Sequence, residues 1–176
     1  MSAPDWAELE RAAIEVRARA YAPYSRYLVG AALLGEDGRV YVGCNVENAS
    51  YGLTVCAERS ACVGMVAAGC RRVAAVVVIT AGAAPGSPCG MCRQTLSEFG
   101  GDEVPLRMLA LDAAGAPSRR AETTLGALLP GRFDGALVLG RAPNGEGPAG
   151  PPSPGGEGPA GSPSPGGEGP AGSPAP

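Results

Sequence analysis

Three cysteines and one glutamate, divided between two short motifs, constrain this chain more than anything else in it. Cys56-Ala57-Glu58 comes first, and Pro88-Cys89-Gly90-Met91-Cys92 follows some thirty residues later. Three thiolates can hold a zinc ion and leave its fourth position open, as a catalytic site requires. A glutamate two residues from a ligand, and not itself a ligand, is placed to move protons. A fold that uses these groups together must bring two distant segments to one point.

The apolar pattern sets both motifs at helix starts. Residues 4 to about 21 read as an amphipathic helix, with Trp6, Leu9, Ala13, Val16 and Ala20 near helical spacing and Ser2 as its cap. Residues 27–34 and 40–45 read as two strands of a hairpin turned at Glu36-Asp37-Gly38, and 46–55 as a polar loop. A helix runs from Cys56 to about Gly69, which stops it. Residues 73–80 form a nearly unbroken apolar run, which fits a strand buried on both faces. Residues 89 to about 99 are helical, 106–111 a strand, and 124–129 a short helix ended by Pro130. A fifth strand falls in 115–123 or in 136–139; the pattern does not choose. A hairpin followed by β-α-β units gives an α/β fold, a mixed sheet with helices on both faces.

In this reading, helix N-termini favour thiolates at Cys56 and Cys89, and Cys92 lies one turn beyond Cys89. Three thiolates around a dication leave net negative charge, which opposes acidifying a bound water. Arg59 is the candidate to offset it by donating to a ligand sulfur, with Arg93 a weaker one. A structural zinc site or a redox pair is the competing reading of the C-x-x-C, with Cys44, Cys62 and Cys70 as spare thiols. Cys62 and Cys70 lie among small apolar residues and read as buried packing residues. Glu58 has its own ordinary reading as a first-turn acid.

The folded unit is expected to span 1–142. From residue 143 the chain becomes an imperfect eleven-residue repeat, GEGPAGPPSPG then GEGPAGSPSPG. It has no aromatic or branched apolar side chain to offset the entropy of ordering, so 143–176 reads as a disordered Pro/Gly-rich tail. Three of the seventeen acids lie in that tail, whereas all fourteen arginines precede residue 142, so the folded unit is formally neutral. A polynucleotide binder would carry a basic excess. The chain has no His and no Lys, which excludes Ser-His-Asp and Cys-His catalysis and Schiff-base chemistry. No apolar run approaches membrane-spanning length and no signal pattern opens the chain, so a cytoplasmic protein with reduced thiols is expected.

Taken together the motifs resemble one family, the small zinc-dependent cytidine deaminases that use three cysteines and assemble as homotetramers. The C-A-E and P-C-x-x-C pair is the signature of the zinc nucleobase deaminases with Cys in its first place. The resemblance runs from Tyr24 to about Phe133. It includes Tyr24-Ser25, the Val29-Gly30-Ala31-Ala32 stretch, Gly43 through Gly52 with its N-V-E-N core, Thr54 through Arg59, Ser87 through Gln94, and Leu128-Leu129-Pro130 with Phe133.

The resemblance implies a layered cytidine deaminase-like fold around a five-stranded sheet. It implies hydrolytic deamination of free cytidine and 2′-deoxycytidine to uridine or 2′-deoxyuridine and ammonia, in pyrimidine salvage. It also implies one Zn2+ per subunit on Cys56, Cys89 and Cys92, with Glu58 carrying protons. Asn45 and Glu47 would hold the sugar 3′-hydroxyl, and the carbonyl of Ala57 would read the base edge. Tyr27 and Phe133 would stack on the base, Phe133 reaching a neighbouring subunit. No nucleic acid polymer and no membrane are implied as partners.

Tyr27 stands where relatives usually carry Phe, Leu28 where many carry Pro or Lys, and GALVLGR after Phe133 departs from the usual ending. A deaminase of a cytosine nucleoside antibiotic such as blasticidin S shares the metal motifs but lacks N-V-E-N. A non-catalytic zinc-binding module and a Pro-rich adaptor acting through the tail are the remaining alternatives.

Overall fold

The computed structural model describes residues 3–138. The repeat from 143 onward, the expected cap Ser2 and Leu139 of the alternative fifth strand lie outside the described residues.

Helix α1 spans Trp6–Arg17 and is capped by Asp5, whose Oδ1 accepts from Glu8 N at 3.1 Å. It ends a turn before the expected Tyr21, with turns through 18–19. Strands β1 (Gly30–Gly35) and β2 (Val40–Cys44) form the expected hairpin, though β1 begins three residues later than its apolar run. Residues 27–29 are instead loop, held by the Asn45 side chain from just beyond β2. The polar loop contains one turn of 3-10 helix, Tyr51–Leu53.

Helix α2 (Ala57–Ala67) then leads to β3 (Val73–Ala81), α3 (Gly90–Phe99) and β4 (Pro105–Leu111). Gly69 adopts φ +91° just past α2, the left-handed stop that glycine takes most easily. Strand β5 is Pro117–Thr124, the first of the two expected places. The second place begins within a short helix, α5 (Gly135–Val138). Between them, Thr124 caps the four-residue α4 (Leu125–Leu128).

The sheet order is β2-β1-β3-β4-β5, with β3 and β4 parallel and every other pair antiparallel. This is the expected mixed five-stranded sheet. The apolar run of β3 is explained by its alternation. Ala75, Val77 and Ile79 pack with Leu9 and Ala13 of α1 on one face. Val76 and Val78 pack with Ala61, Cys62 and Met65 of α2 and Leu96 of α3 on the other. A strand covered on both sides has no polar face to show. Cys62 and Cys70 are buried thiols, as expected.

One close approach positions the rest. Gly43 of β2 lies so near α2 that a methyl there would collide with Ala57 O and Ala61 N and stand 2.9 Å from Ser60 Cβ. Glycine lets the sheet and the first turn of α2 meet backbone to backbone.

Candidate metal centre and active site

Two helix starts face each other across the centre. Cys56 is the N-cap of α2 and Cys89 the N-cap of α3, both with extended backbone and neither spending its side chain on the helix. Their sulfurs are therefore free to point at a common centre, where the positive ends of both helices favour negative charge. Cys92 joins them from the first turn of α3, and the three sulfurs lie within 4.8 Å of one another. Cys56 Sγ to Cys89 Sγ is 3.8 Å, and Cys89 Sγ to Cys92 Sγ is 3.5 Å.

Those separations test the metal directly. Zn–S bonds of about 2.3 Å at a tetrahedral centre put neighbouring sulfurs roughly 3.8 Å apart. The cluster has that size, and its donor set suits zinc. The protonation pattern agrees. The Cys56 thiol is pushed down to about 6, chiefly by its hydrogen bond with Cys92. Cys92 is pushed far up, first by that partnership with Cys56 and then by burial. With Cys56 lowered and Cys92 raised, one sulfur of that pair holds its proton while the other gives it up, and a bound dication would favour the thiolate at both.

Glu58 sits on the first turn of α2, only 3% exposed, with Oε2 3.3 Å from Cys92 Sγ. Burial raises its pKa, and its hydrogen bonds oppose that only in part. A carboxyl poised upward toward neutrality beside a metal cluster can both take and give a proton. Ala57, whose carbonyl abuts Gly43, is fully buried behind it.

Arg59 donates to Thr54 O at 3.5 Å rather than to a sulfur; its charge nonetheless lowers the Cys56 pKa, as a minor contribution. Arg93 is occupied elsewhere. It donates to Pro88 O at 2.8 Å, Leu128 O at 2.9 Å and Ser87 Oγ at 2.9 Å, tying the segment before Cys89 to the end of α4. Beside it, Gln94 Nε2 donates to Phe133 O at 2.8 Å, leaving the Phe133 side chain 66% exposed.

Asn45 and Glu47 both reach back to the loop before β1. Asn45 is buried, and Glu47 receives Tyr24 N at 2.9 Å, Ser25 N at 3.2 Å and the Ser25 hydroxyl. Tyr27 is exposed, with its hydroxyl next to Gly86 on the segment leading to Cys89. Sequence reasoning quoted Ser25 and Gln94 within motifs but gave them no role. Their partners lie 22 and 39 residues away, and no local spacing announces such a pair.

Comparison with known proteins agrees with this geometry. Residues 5–108 match the family described as the cytidine and deoxycytidylate deaminase zinc-binding region. The chain is 44% identical over 119 residues to a cytidine deaminase of Sporosarcina psychrophila, covering 68% of this chain and 84% of that one. It is 45% identical over 129 residues to one of Mycobacterium tuberculosis, covering 73% and 90%. A crystal structure of cytidine deaminase from Burkholderia pseudomallei superposes with TM-score 0.68 at 42% identity, over 74% of this chain and all of that one. One from Bacillus anthracis, at 19% identity and TM-score 0.54 over 76% of this chain and 93% of that one, shares the fold.

Proposed function

Since this chain belongs to the family of zinc-binding cytidine and deoxycytidylate deaminases, we propose that it hydrolyses the exocyclic C–N bond of free cytidine and 2′-deoxycytidine. The products are uridine or 2′-deoxyuridine and ammonia, a step of pyrimidine salvage. The observation that carries the reading is the buried Glu58 carboxylate 3.3 Å from Cys92 Sγ, beside three sulfurs at zinc spacing.

Cys56, Cys89 and Cys92 would hold the ion. The chemistry a bound zinc would supply there is that of a Lewis acid, which would lower the pKa of a bound water toward neutrality. Glu58 takes one proton from the attacking water and delivers it to ring N3. It then takes the remaining proton of the new C4 hydroxyl and passes it to the departing amine, so that C4 becomes the carbonyl and ammonia leaves. The same carboxyl acts first as base and then as acid, which its raised pKa suits. Asn45 and Glu47 receive the sugar, Ala57 O reads the base edge, and Tyr27 and Phe133 offer aromatic faces to it.

Phe133 is exposed on its own subunit and backbone-anchored by Gln94, a geometry suited to reaching a neighbour in a homotetramer. Among the described residues no helix is long and apolar enough to cross a membrane. In this reading residues 1–142 form a cytoplasmic catalytic domain and 143–176 serve as a spacer, a division that rests on the composition of the repeat.

The test is turnover of cytidine by purified zinc-loaded protein, followed by the ultraviolet change on forming uridine, with Glu58→Ala alongside. Wild type should turn over, and the variant should keep its zinc while losing at least roughly a hundredfold in rate. Near-normal turnover by Glu58→Ala would refute the role of Glu58. Turnover of blasticidin S in place of cytidine would move the substrate to that antibiotic, and bound zinc without turnover would leave a non-catalytic zinc-binding module.

A further inference from the structure

Two side chains from beyond β2, Asn45 and Glu47, hold the loop before β1, and one serine links Glu47 to the aromatic residue of that loop. Asn45 Oδ1 accepts from Val29 N, and its Nδ2 donates to Tyr27 O, both at 2.8 Å. Glu47 Oε2 accepts from Tyr24 N and Ser25 N, while Oε1 accepts the Ser25 hydroxyl proton. Ser25 Oγ in turn accepts from Tyr27 N at 3.0 Å. Between them Arg26 sits at φ +59°, a left-handed conformation uncommon outside glycine. Bonds on both sides of Arg26 therefore hold this loop in a shape the backbone alone does not prefer.

The acceptor count of the carboxylate is informative. An ionised carboxylate has about four acceptor positions, and three protein donors occupy three of them here. The remaining position lies on Oε1, beside the serine. A hydroxyl has one proton to give, and Ser25 gives it to Glu47. We infer that Ser25 is a positioning residue for sugar recognition: it orients Glu47 so that a single acceptor position faces one sugar hydroxyl, and it holds Tyr27 through the main chain. The inference rests on the sugar-binding reading of Glu47.

The linkage extends toward the metal. A methyl on Gly86 would lie 2.8 Å from the Tyr27 hydroxyl, so the tip of that side chain rests against the segment leading to Cys89. One serine hydroxyl thus joins the sugar side of the site to its base side. Its bond is also the main reason the Glu47 carboxyl stays below its ordinary pKa.

The experiment compares kcat/KM for cytidine and for 3′-deoxycytidine in wild type, Ser25→Ala and Ser25→Thr. Ser25 is exposed, so both variants have room, and thermal unfolding measured beside wild type shows that each is folded at the assay temperature. Wild type should prefer cytidine. Ser25→Ala should shrink that preference roughly tenfold, the low end for a hydrogen bond to a charged group, and Ser25→Thr should restore it. If Ser25→Ala turns over too slowly, the same ratio is read by calorimetry with uridine and 3′-deoxyuridine. A wild type indifferent to the 3′-hydroxyl would overturn the sugar reading and this inference with it. A wild type that discriminates, with a Ser25→Ala ratio within about twofold of it, would overturn the inference alone.

Discussion

Gly43→Ala should disable the protein without unfolding it. The added methyl would fall inside contact distance of Ala57 O and Ala61 N and 2.9 Å from Ser60 Cβ, where ordinary contact begins at 3.4 Å. Ser60 must therefore retreat by about 0.5 Å, and the two backbone atoms by more, because close-packed interiors have no slack. All three neighbours belong to the first turns of α2, so that end of the helix moves off the sheet by about 1 Å. It carries Cys56, Ala57 and Glu58 with it. Overpacking of this kind costs about 1–3 kcal/mol of stability, less than the roughly 5–15 kcal/mol a domain commonly has. A displacement of about 1 Å in a catalytic group costs roughly a hundredfold in rate. The assay is kcat for cytidine on zinc-loaded protein, with metal content and thermal unfolding measured on the same sample. A folded, zinc-loaded Gly43→Ala with kcat within about threefold of wild type would refute the reasoning, since α2 would then not have moved.

Arg93→Met removes three hydrogen bonds and leaves Pro88 O and Leu128 O short of a donor. It should destabilise by about 3 kcal/mol and speed zinc loss to a chelator, read by thermal denaturation and a colorimetric zinc dye. Unchanged zinc release would show that Arg93 does not brace the Cys89 segment. Tyr41 donates to Asp37 at 2.6 Å, which lowers the Asp37 pKa and pushes Tyr41 up to about 12. The depressed Asp37 contributes stability above the ordinary carboxylate range that is lost as pH falls through its folded value. The raised Tyr41 contributes stability below pH 10.0 that is lost as pH climbs toward 12. The melting-temperature difference between wild type and Tyr41→Phe should accordingly shrink at both extremes, and a pH-independent difference would contradict the assignment. Cutting the chain after Ala142 should leave melting temperature and turnover near wild type, because residues 143–176 carry no aromatic or branched apolar side chain to add to a core. A large loss of either would make the tail structural.

The sequence alone determined the chemistry and most of the scaffold, because both are written in local pattern. Cysteines and a glutamate at helix starts state their donor type and spacing whatever surrounds them. The alternation hidden in Val73–Ala81 is equally local, since a strand covered on both faces must be apolar throughout. Where local pattern ran out, the errors had a common cause. Residues 27–29 look like strand but are loop because Asn45 takes their backbone groups, and a side chain sixteen or more residues away leaves no periodic trace. The choice of Pro117–Thr124 as fifth strand came from pairing with β4, since its exposed, polar residues carry little strand signal of their own. Only the tertiary structure decided that the sulfurs of Cys56 and Cys89 stand 3.8 Å apart, that Arg93 braces a loop rather than a sulfur, and that Ser25 spends its proton on Glu47. Local sequence records which groups can donate, accept or ligate; which partner each one meets depends on how distant segments pack, and that is settled by the whole fold.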